Sequence, residues 1–191
     1  MRIIAGKWRG RNVAAPKGEL TRPTADRMRE TLFNMLNSRL GTFEGLTVAD
    51  MFAGSGALGL EALSRGASHC LFVEQDENAL ATIRTNVSSL GARLSCDIRA
   101  GSVLTLGPAK VPHDLILLDP PYETGAGPVA LERLLRFGWI GPATWIALET
   151  GAREDVLLKS FTVEAERKVG KGKLRLLRLR SAAHGDGEAE V

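Results

Sequence analysis

The chain has 191 residues, of which 44% are hydrophobic and 25% charged, and this suits one globular domain with at most a small appendage. No apolar run approaches the ~20 residues that span a bilayer, and no secretory signal is evident, so we expect a cytoplasmic protein with no membrane partner. The net charge of +3 is uneven: residues 1–44 carry nine Lys and Arg against four Asp and Glu, and residues 166–180 carry seven against one. Basic flanks favour a polyanion such as nucleic acid as partner, although solvated charged faces would give the same counts.

The first 45 residues are predicted to form a basic arm and a helix. Residues 2–15 contain short β-prone pieces between glycines, which indicates a small hairpin. Residues 16–23 form a turn-rich linker. A helix follows as far as residue 40, with Thr24 as its N-cap and Gly41 as its stop. The apolar face of this helix is at helical spacing and comprises Met28, Leu32, Met35, Leu36 and Leu40.

From Thr47 onward, strand and helix patterns alternate along the chain. This alternation predicts an α/β fold in which a mostly parallel sheet is doubly wound, with helices on both faces. The last two strands have no helix between them, so we expect an antiparallel hairpin at one edge of a seven-stranded sheet. The predicted strands cover residues 47–53, 69–75, 92–100, 113–119, 144–150, 161–169 and 173–180, and the helices cover 57–66, 77–91 and 128–138.

These patterns divide the chain into three parts. Residues 1–45 are the arm and its capping helix, residues 46–181 are the α/β domain, and residues 182–191 are a polar tail of small residues that we expect to be disordered. Cys70 and Cys96 lie inside predicted strands and are interpreted as reduced core residues. The three histidines are scattered without the spacing of metal ligands, so we expect no bound metal.

A glycine-rich turn follows the first strand of the predicted sheet. Gly54, Gly56 and Gly59 fit the pattern G-x-G-x-x-G, and Glu74 lies twenty residues after Gly54 at the end of the next strand. This is the fingerprint of dinucleotide binding, and it lies where open α/β sheets bind their ligands. A tight turn that needs glycine and binds nothing would have the same sequence.

Asp50, on the strand just before the glycines, decides between the possible ligands. A carboxylate there repels a pyrophosphate and attracts a cation. S-adenosylmethionine has no phosphate, carries an ammonium and a sulfonium, and has a ribose whose hydroxyls Glu74 can bind. We therefore interpret the turn as a site for S-adenosylmethionine and keep a dinucleotide as the alternative. The expected cofactor-binding residues are Asp50, Phe52, Gly54, Ser55, Gly56, Glu74, Gln75, Gly101 and Ser102.

The second motif is DPPY, residues 119–122, at the end of a strand that we expect beside the first one. Pro120 and Pro121 stiffen the backbone and lack N–H donors, so the carbonyl of Pro120 and the carboxylate of Asp119 can both accept hydrogen bonds. Tyr122 adds a flat face on which a base can stack. The alternative is a proline-stiffened turn with a chance aromatic. Two acceptors and a ring match the exocyclic amine of a planar base, so we predict that these four residues are catalytic in methyl transfer to such an amine.

Together these motifs resemble the class I S-adenosylmethionine-dependent methyltransferases, which have a Rossmann-like fold, and more closely the RsmD family. The segments MRIIAGKWRGR, RPTADRMRETLFN, DMFAGSGALGLEALSRGA and LLDPPY occur in the order of that family. The second of these, residues 22–34, is the most specific signature, whereas DPPY is shared by several amino methyltransferases. The resemblance covers about residues 2–180 and implies transfer of a methyl group to N2 of a guanine in 16S ribosomal RNA.

The resemblance implies that Arg22, Pro23, Thr24 and Arg27 border the entrance for cofactor and RNA. In the arm, Trp8 stands among three cations, which suits a nucleotide, although Trp8 could equally pack the arm onto the domain. The tip of the last hairpin is more basic than is typical of the family and has Val169 where an aromatic residue is common. The residues expected to contact RNA are Lys7, Arg9, Arg11, Arg22, Thr24, Arg27, Lys171 and Lys173.

The expected substrate is 16S rRNA within an assembled or partly assembled small ribosomal subunit, bound by a monomer. One alternative is methylation of adenine N6 in DNA or RNA. Such a small chain has no separate recognition domain, and this argues against DNA. Protein glutamine is a second alternative, against which stands Asp119 where Asn is expected. The third is an RNA-associated factor that binds S-adenosylmethionine without catalysis, which the intact Asp119 and Tyr122 disfavour.

Overall fold

The computed structural model describes residues 1–16 and 23–181, and in that part of the chain seven strands and four α-helices can be followed. The strands are β1 (Thr47–Met51), β2 (His69–Glu74), β3 (Cys96–Ala100), β4 (Leu115–Leu118), β5 (Trp145–Gly151), β6 (Phe161–Val169) and β7 (Gly172–Leu179). The helices are α1 (Pro23–Leu40), α2 (Ala57–Ser64), α3 (Glu77–Ser89) and α4 (Ala126–Arg136).

The strands form one sheet in the order β3-β2-β1-β4-β5-β7-β6. The first five strands of this order pair in parallel, whereas β7 is antiparallel to both β5 and β6. The predicted fold class is therefore confirmed. Because the chain runs outward from β1 to β3 and then returns to β4 on the other side of β1, the carboxyl ends of β1 and β4 border the crevice where such sheets bind ligands.

Helices cover both faces of the sheet and create two apolar cores. One core joins α1, α2 and α3 to the sheet, with Phe33, Leu63 and Ile83 fully buried. The other core joins α4 to the opposite face through residues such as Leu131 and Leu134. All four residues of β4 are buried, because a central parallel strand has helices on both sides and every one of its side chains faces a core.

The N-terminal arm contains a short form of the predicted hairpin. One antiparallel bridge, Arg2 with Asn12, joins its two halves without a continuous ladder. The arm is attached to α2, whose buried Glu61 accepts hydrogen bonds from the backbone N–H groups of Ile4 at 2.8 Å and Ala5 at 3.0 Å. Burial of two backbone donors against one carboxylate keeps the arm on the domain.

Helix α1 begins at Pro23, so Thr24 lies in its first turn and the prediction that Thr24 is the N-cap was wrong. Proline at the first helical position is favourable because its missing N–H has no intrahelical partner in any residue. The side chain of Thr24, the linker residues 17–22 and the tail 182–191 lie outside the described residues. None of the helices in the described part of the chain is long and apolar enough to cross a membrane.

Candidate active site

The turn after β1 has an unusual backbone that faces a cavity. Phe52, Gly54 and Gly56 have φ angles of 63°, 55° and 77°, all in the left-handed region. For Phe52 this conformation is strained, and such strain concentrates at functional sites. A Cβ added to Gly54 would meet no heavy atom within 4 Å, so this glycine leaves the backbone open to an approaching ligand.

The third glycine of the pattern serves packing. A Cβ on Gly59 would lie 2.4 Å from Cε1 of Phe72 and 2.6 Å from Sγ of Cys70. The absence of a side chain at this position therefore lets α2 lie close against β2, and it brings the N-terminus of α2 to the edge of the cavity.

Glu74 ends β2 and organises the loops around it. Its Oε2 accepts the N–H of Gly54 at 2.8 Å. Its Oε1 accepts the N–H groups of Gln75 at 2.7 Å and Asp76 at 2.8 Å. A carboxylate held by three backbone donors is fixed in orientation, and the remaining lone pair, on Oε2, can accept a hydrogen bond from a ligand.

Asp50 lies beneath the turn and does not line the cavity. Its carboxylate is 1% exposed, and Oδ2 accepts the N–H of Gly59 at 2.9 Å. Its Oδ1 is buried without a hydrogen-bond partner among the described residues. Burial, together with the negative charge of Glu74, raises the pKa of Asp50 to about 8, although the bond from Gly59 opposes this. The sequence places an acid next to the turn, but it does not show that the Asp50 side chain lies behind the backbone of the turn, away from the cavity.

A cavity of about 570 Å³ opens at the carboxyl ends of β1, β2 and β4. The DPPY residues 119–122 border the same cavity as the glycine turn. Two of the expected cofactor residues, Asp50 and Gly56, are not among the residues that line it. The expected cofactor residues that do line it are Phe52, Gly54, Ser55, Glu74, Gln75, Gly101 and Ser102.

The DPPY segment presents its polar groups at the mouth of this cavity. Asp119 is exposed, Pro120 is buried, and the Tyr122 side chain is 42% exposed. The hydroxyl of Tyr122 donates a hydrogen bond to Oε1 of Glu149 on β5. Partial burial raises the pKa of Tyr122, and the bond to Glu149 and the nearby negative charges raise it further. The hydroxyl therefore remains protonated and its position is fixed by Glu149.

Glu149 lines the cavity and was missed by the sequence analysis. Burial raises its pKa above the ordinary value, while the hydrogen bond from Tyr122 acts in the opposite direction. The signal was present: Glu149 follows four apolar residues of a predicted strand, as Asp119 does. The sequence alone, however, does not show that β5 pairs with β4.

The β6–β7 hairpin brings its tip to the same mouth. A Cβ on Gly172 would lie 2.4 Å from Cε of Met28 and 2.8 Å from the hydroxyl of Tyr122. The backbone of Lys171 is joined to the segment after β5, because its carbonyl accepts the N–H of Ala152 at 2.8 Å. The basic tip that departs from the family pattern is thus a neighbour of the DPPY motif.

Helix α1 provides one wall of the cavity, through residues that the sequence analysis did not name. Met28, Arg29 and Leu32 line it together with Met1 of the arm. Arg29 is 5% exposed and forms an ion pair with Asp26 at 3.0 Å. Its guanidinium also donates to the carbonyl oxygen of Arg2, so the arm and α1 form the wall as a unit.

The residues expected to contact RNA differ in how accessible the structure leaves them, and Trp8 of the arm is considered with them. Lys173 forms an ion pair with Glu166 at 3.5 Å, which partly neutralises it. Arg22 and the side chain of Thr24 lie outside the described residues. Trp8 is partly buried against the core, with the ammonium of Lys7 4.4 Å from its ring centroid, so packing is its role here. The exposed cations of the set are Lys7, Arg9, Arg11, Arg27 and Lys171.

Arg175 of β7 belongs to the basic C-terminal segment but does not face solvent. Its side chain is 6% exposed. Its Nε donates to Glu166 at 2.8 Å and its Nη1 to Thr150 at 2.7 Å. This arginine links β5, β6 and β7 beneath the hairpin tip and is not available to RNA.

Comparison with known proteins identifies the family. The family model described as Conserved hypothetical protein 95 matches residues 1–178. Ribosomal RNA small subunit methyltransferase D of Escherichia coli is 32% identical over 192 aligned residues, which cover 100% of this chain and 94% of its own. The chain belongs to the RsmD family. The resemblance stated from the motifs is therefore confirmed.

A second curated relative and one solved structure are similar to this chain over most of its length. The ribosomal RNA small subunit methyltransferase D of Haemophilus influenzae is 35% identical over 179 residues, which cover 89% of each chain. The solved structure of the yhhF protein of Escherichia coli has a TM-score of 0.81 at 32% identity and covers 95% of this chain and 99% of its own. The family model, over residues 1–178, includes the arm, α1 and nearly all of the β6–β7 hairpin.

Proposed function

We propose that this RsmD-family protein transfers a methyl group from S-adenosylmethionine to the exocyclic N2 amine of a guanine in 16S ribosomal RNA. The observation that carries the proposal is that Asp119, Pro120 and Tyr122 line the same cavity as Gly54 and Glu74. Acceptors for an amine and a turn suited to a cationic nucleoside border one space, as direct transfer between two bound groups requires.

The names of the Escherichia coli and Haemophilus influenzae relatives support small-subunit rRNA as the substrate class. The exposed cations of the arm and of the hairpin tip support a polyanion as partner. We propose that residues 1–45 and the hairpin tip contact RNA around a catalytic domain, residues 46–181, that acts as a monomer. The proposed substrate is an assembled or partly assembled subunit, whose folded surface would supply the specificity.

The residues around the cavity fit S-adenosylmethionine better than a dinucleotide. Glu74, Asp119 and Glu149 are acidic, whereas Arg29 is the one basic residue among the described lining residues and is paired with Asp26. Such a lining favours a cation and disfavours a pyrophosphate.

The roles of the residues toward the cofactor follow from their positions. Glu74 would accept a ribose hydroxyl through the lone pair on Oε2 that its three backbone donors leave free. The open backbone at Gly54 would lie against the methionine portion, and Gly101 and Ser102 would border the adenine. Bound there, S-adenosylmethionine supplies an electrophilic methyl group on a positively charged sulfur.

The DPPY segment would hold and activate the guanine amine. The lone pair of this amine is delocalised into the ring, which makes the nitrogen a poor nucleophile. Asp119 and the carbonyl of Pro120 would accept its two N–H groups and draw the nitrogen toward tetrahedral geometry, so that the lone pair points into the cavity. When the nitrogen gains the methyl group it loses a proton, which Asp119 can take up directly or through water. The ring of Tyr122 would stack on the base, which must leave its own stack to enter.

The experiment that tests the proposal offers labelled S-adenosylmethionine with small ribosomal subunits, naked 16S rRNA or duplex DNA from cells that lack the protein. We expect N2-methylguanosine in the rRNA of the subunits and less of it in naked RNA. Labelled N6-methyladenine, or no labelled nucleoside, would overturn the proposed reaction.

Two variants separate the two halves of the site. Asp119→Ala is expected to abolish transfer while S-adenosylmethionine still binds, because Asp119 acts on the amine. Glu74→Ala is expected to weaken S-adenosylmethionine binding by about tenfold or more, as loss of hydrogen bonds to a charged group implies. Glu44→Ala, an exposed position before β1 at the opposite edge of the sheet, is the matched control. Transfer that survives in Asp119→Ala contradicts the proposed role of DPPY.

A further inference from the structure

Glu149 stands next to Asp119 across two adjacent strands. Leu118 pairs with Leu148 at the end of the β4–β5 ladder, so the following residue on each strand is an acid, Asp119 on one and Glu149 on the other. The negative charges of both carboxylates, and that of Glu154, raise the pKa of the nearby Tyr122 hydroxyl. The mouth of the cavity therefore contains one more acceptor than holding a single amine requires.

Glu149 has few partners for a carboxylate that is largely buried. The hydroxyl of Tyr122 donates to Oε1, and within residues 1–16 and 23–181 no Lys or Arg forms an ion pair with Glu149. A carboxylate removed from water without a cation or several donors is unfavourable. Because Oε1 carries the bond from Tyr122, Oε2 remains able to accept a hydrogen from a bound substrate.

The edge of a guanine that carries the N2 amine also carries the N1–H donor, directly beside it. Adenine has an unprotonated N1 acceptor at the same place. If Asp119 and Pro120 hold the amine, the neighbouring donor of the guanine falls toward the next strand, where Glu149 stands. We propose that Glu149 accepts the N1–H of the target guanine and thereby selects guanine; this inference rests on the proposed function.

The selection operates by repulsion as well as by attraction. A base with a lone pair at N1 would face the carboxylate of Glu149 with no hydrogen between them, and both acceptors would lose that hydrogen bond. A site built to bind a substrate N–H rejects analogues that lack it far more strongly than an apolar pocket rejects a change of size. The hydroxyl of Tyr122 bonds to Oε1 and so keeps the carboxylate oriented without using Oε2.

The test uses small subunits reconstituted with 16S rRNA in which the methylated guanine is either retained or replaced by 2-aminopurine. This analogue keeps the 2-amino group and lacks the N1 hydrogen. We expect the wild-type protein to methylate guanine faster than 2-aminopurine by about 10- to 150-fold, the effect of one hydrogen bond to a charged group. In Glu149→Gln we expect the rate on guanine to fall by about tenfold. The ratio of the guanine rate to the 2-aminopurine rate should approach one, because the amide can donate a hydrogen bond to the unprotonated N1 of 2-aminopurine.

Tyr122→Phe distinguishes recognition by Glu149 from an indirect effect through the tyrosine. This variant removes the hydroxyl that bonds to Glu149 and keeps the ring. We expect it to retain the preference for guanine even where its rate falls, whereas a loss of preference equal to that of Glu149→Gln would overturn direct recognition. A wild-type protein that methylates both bases equally, or a Glu149→Gln variant with the wild-type ratio, would also overturn the inference while the proposed function stands. If the wild-type protein forms no N2-methylguanosine, the proposed function itself fails, and the inference with it.

Discussion

Asn86 of α3 binds the backbone of Ala14 in the N-terminal arm through both atoms of its amide. Its Oδ1 accepts the N–H of Ala14 at 2.8 Å, and its Nδ2 donates to the Ala14 carbonyl oxygen at 3.0 Å. The second hydrogen of Nδ2 is donated to the carbonyl oxygen of Ser55 in the glycine turn at 2.9 Å. One buried side chain therefore joins the arm to the turn that borders the cavity, and we expect changes in one to reach the other.

Replacing Asn86 by Ala is expected to lower the free energy of unfolding by about 2–4 kcal/mol, because the backbone groups of Ala14 and the buried carbonyl of Ser55 lose their partner. We also expect weaker binding of S-adenosylmethionine, since the turn loses a support. Urea denaturation and calorimetric titration measure the two effects. Asn78→Ala, an exposed position in the first turn of the same helix, is the matched control. Unaltered affinity in a destabilised variant would contradict the link between arm and turn.

Gly172→Ala is expected to reduce methyl transfer by about tenfold or more. The new Cβ would lie 2.4 Å from Cε of Met28, 2.8 Å from the Tyr122 hydroxyl and 3.2 Å from Oε1 of Glu149, so it displaces Tyr122 or moves the hairpin. Because Gly54 and Glu74 are not touched, the affinity for S-adenosylmethionine should remain within about twofold.

The matched control for that change is Gly107→Ala, where an added Cβ meets no heavy atom within 4 Å. Single-turnover assays with small subunits measure the rate of methyl transfer, and calorimetric titration measures the affinity for S-adenosylmethionine. Equal transfer by the Gly172 and Gly107 variants would show that the hairpin tip leaves the mouth of the cavity unaffected.

The sequence predicted the sheet and the two motif positions because both depend on local patterns. Alternating strands and helices restrict the chain to a parallel sheet with right-handed connections, and the carboxyl ends of its strands meet at one edge. Glu74 and Asp119 could therefore be expected near one another without coordinates. Helix and strand ends were less certain: α1 begins one residue before the expected cap, at Pro23.

The residues that the sequence analysis missed depend on register and on long-range partners. Glu149 becomes a cavity residue only because β5 pairs with β4. Arg175 resembles a surface residue of an amphipathic strand until Glu166 and Thr150 are placed beside it by their own strands. Asp50 was recognised as an acid at the turn, but the direction of its side chain is set by the N–H of Gly59. Patterns in one segment do not contain these relationships.

Lys171 and Lys173 at the hairpin tip are expected to differ in their contribution to RNA binding. Lys171 is exposed, whereas Lys173 forms an ion pair with Glu166 at 3.5 Å and is less free to attract a phosphate. Lys171→Ala should lower the slope of log affinity against log salt by about one, and Lys173→Ala should change it less. Binding to small subunits over a range of salt concentrations measures both slopes, and equal losses would contradict this distinction.

The raised pKa of Asp50 predicts a pH dependence of stability with a definite sign. An aspartate in the unfolded chain ionises near its ordinary value of 3.8, whereas the buried Asp50 keeps its proton up to about pH 8. Between these values the folded state binds one more proton than the unfolded state, so each rise in pH destabilises the folded protein. The stabilising contribution of the bound proton is lost as pH rises through this window and is gone above the folded pKa.

Asp50→Asn keeps an acceptor for the N–H of Gly59 and has no proton to release, so its stability should change less between pH 5 and pH 8. Over these three pH units the wild-type protein should lose up to about 4 kcal/mol more than the variant. Urea denaturation at a series of pH values measures this difference, with the exposed Asp155→Asn as control. Parallel curves for the wild-type protein and Asp50→Asn would mean that Asp50 is already ionised in the folded state at pH 5, and that the unpartnered oxygen beneath the turn carries a full charge before any cation binds.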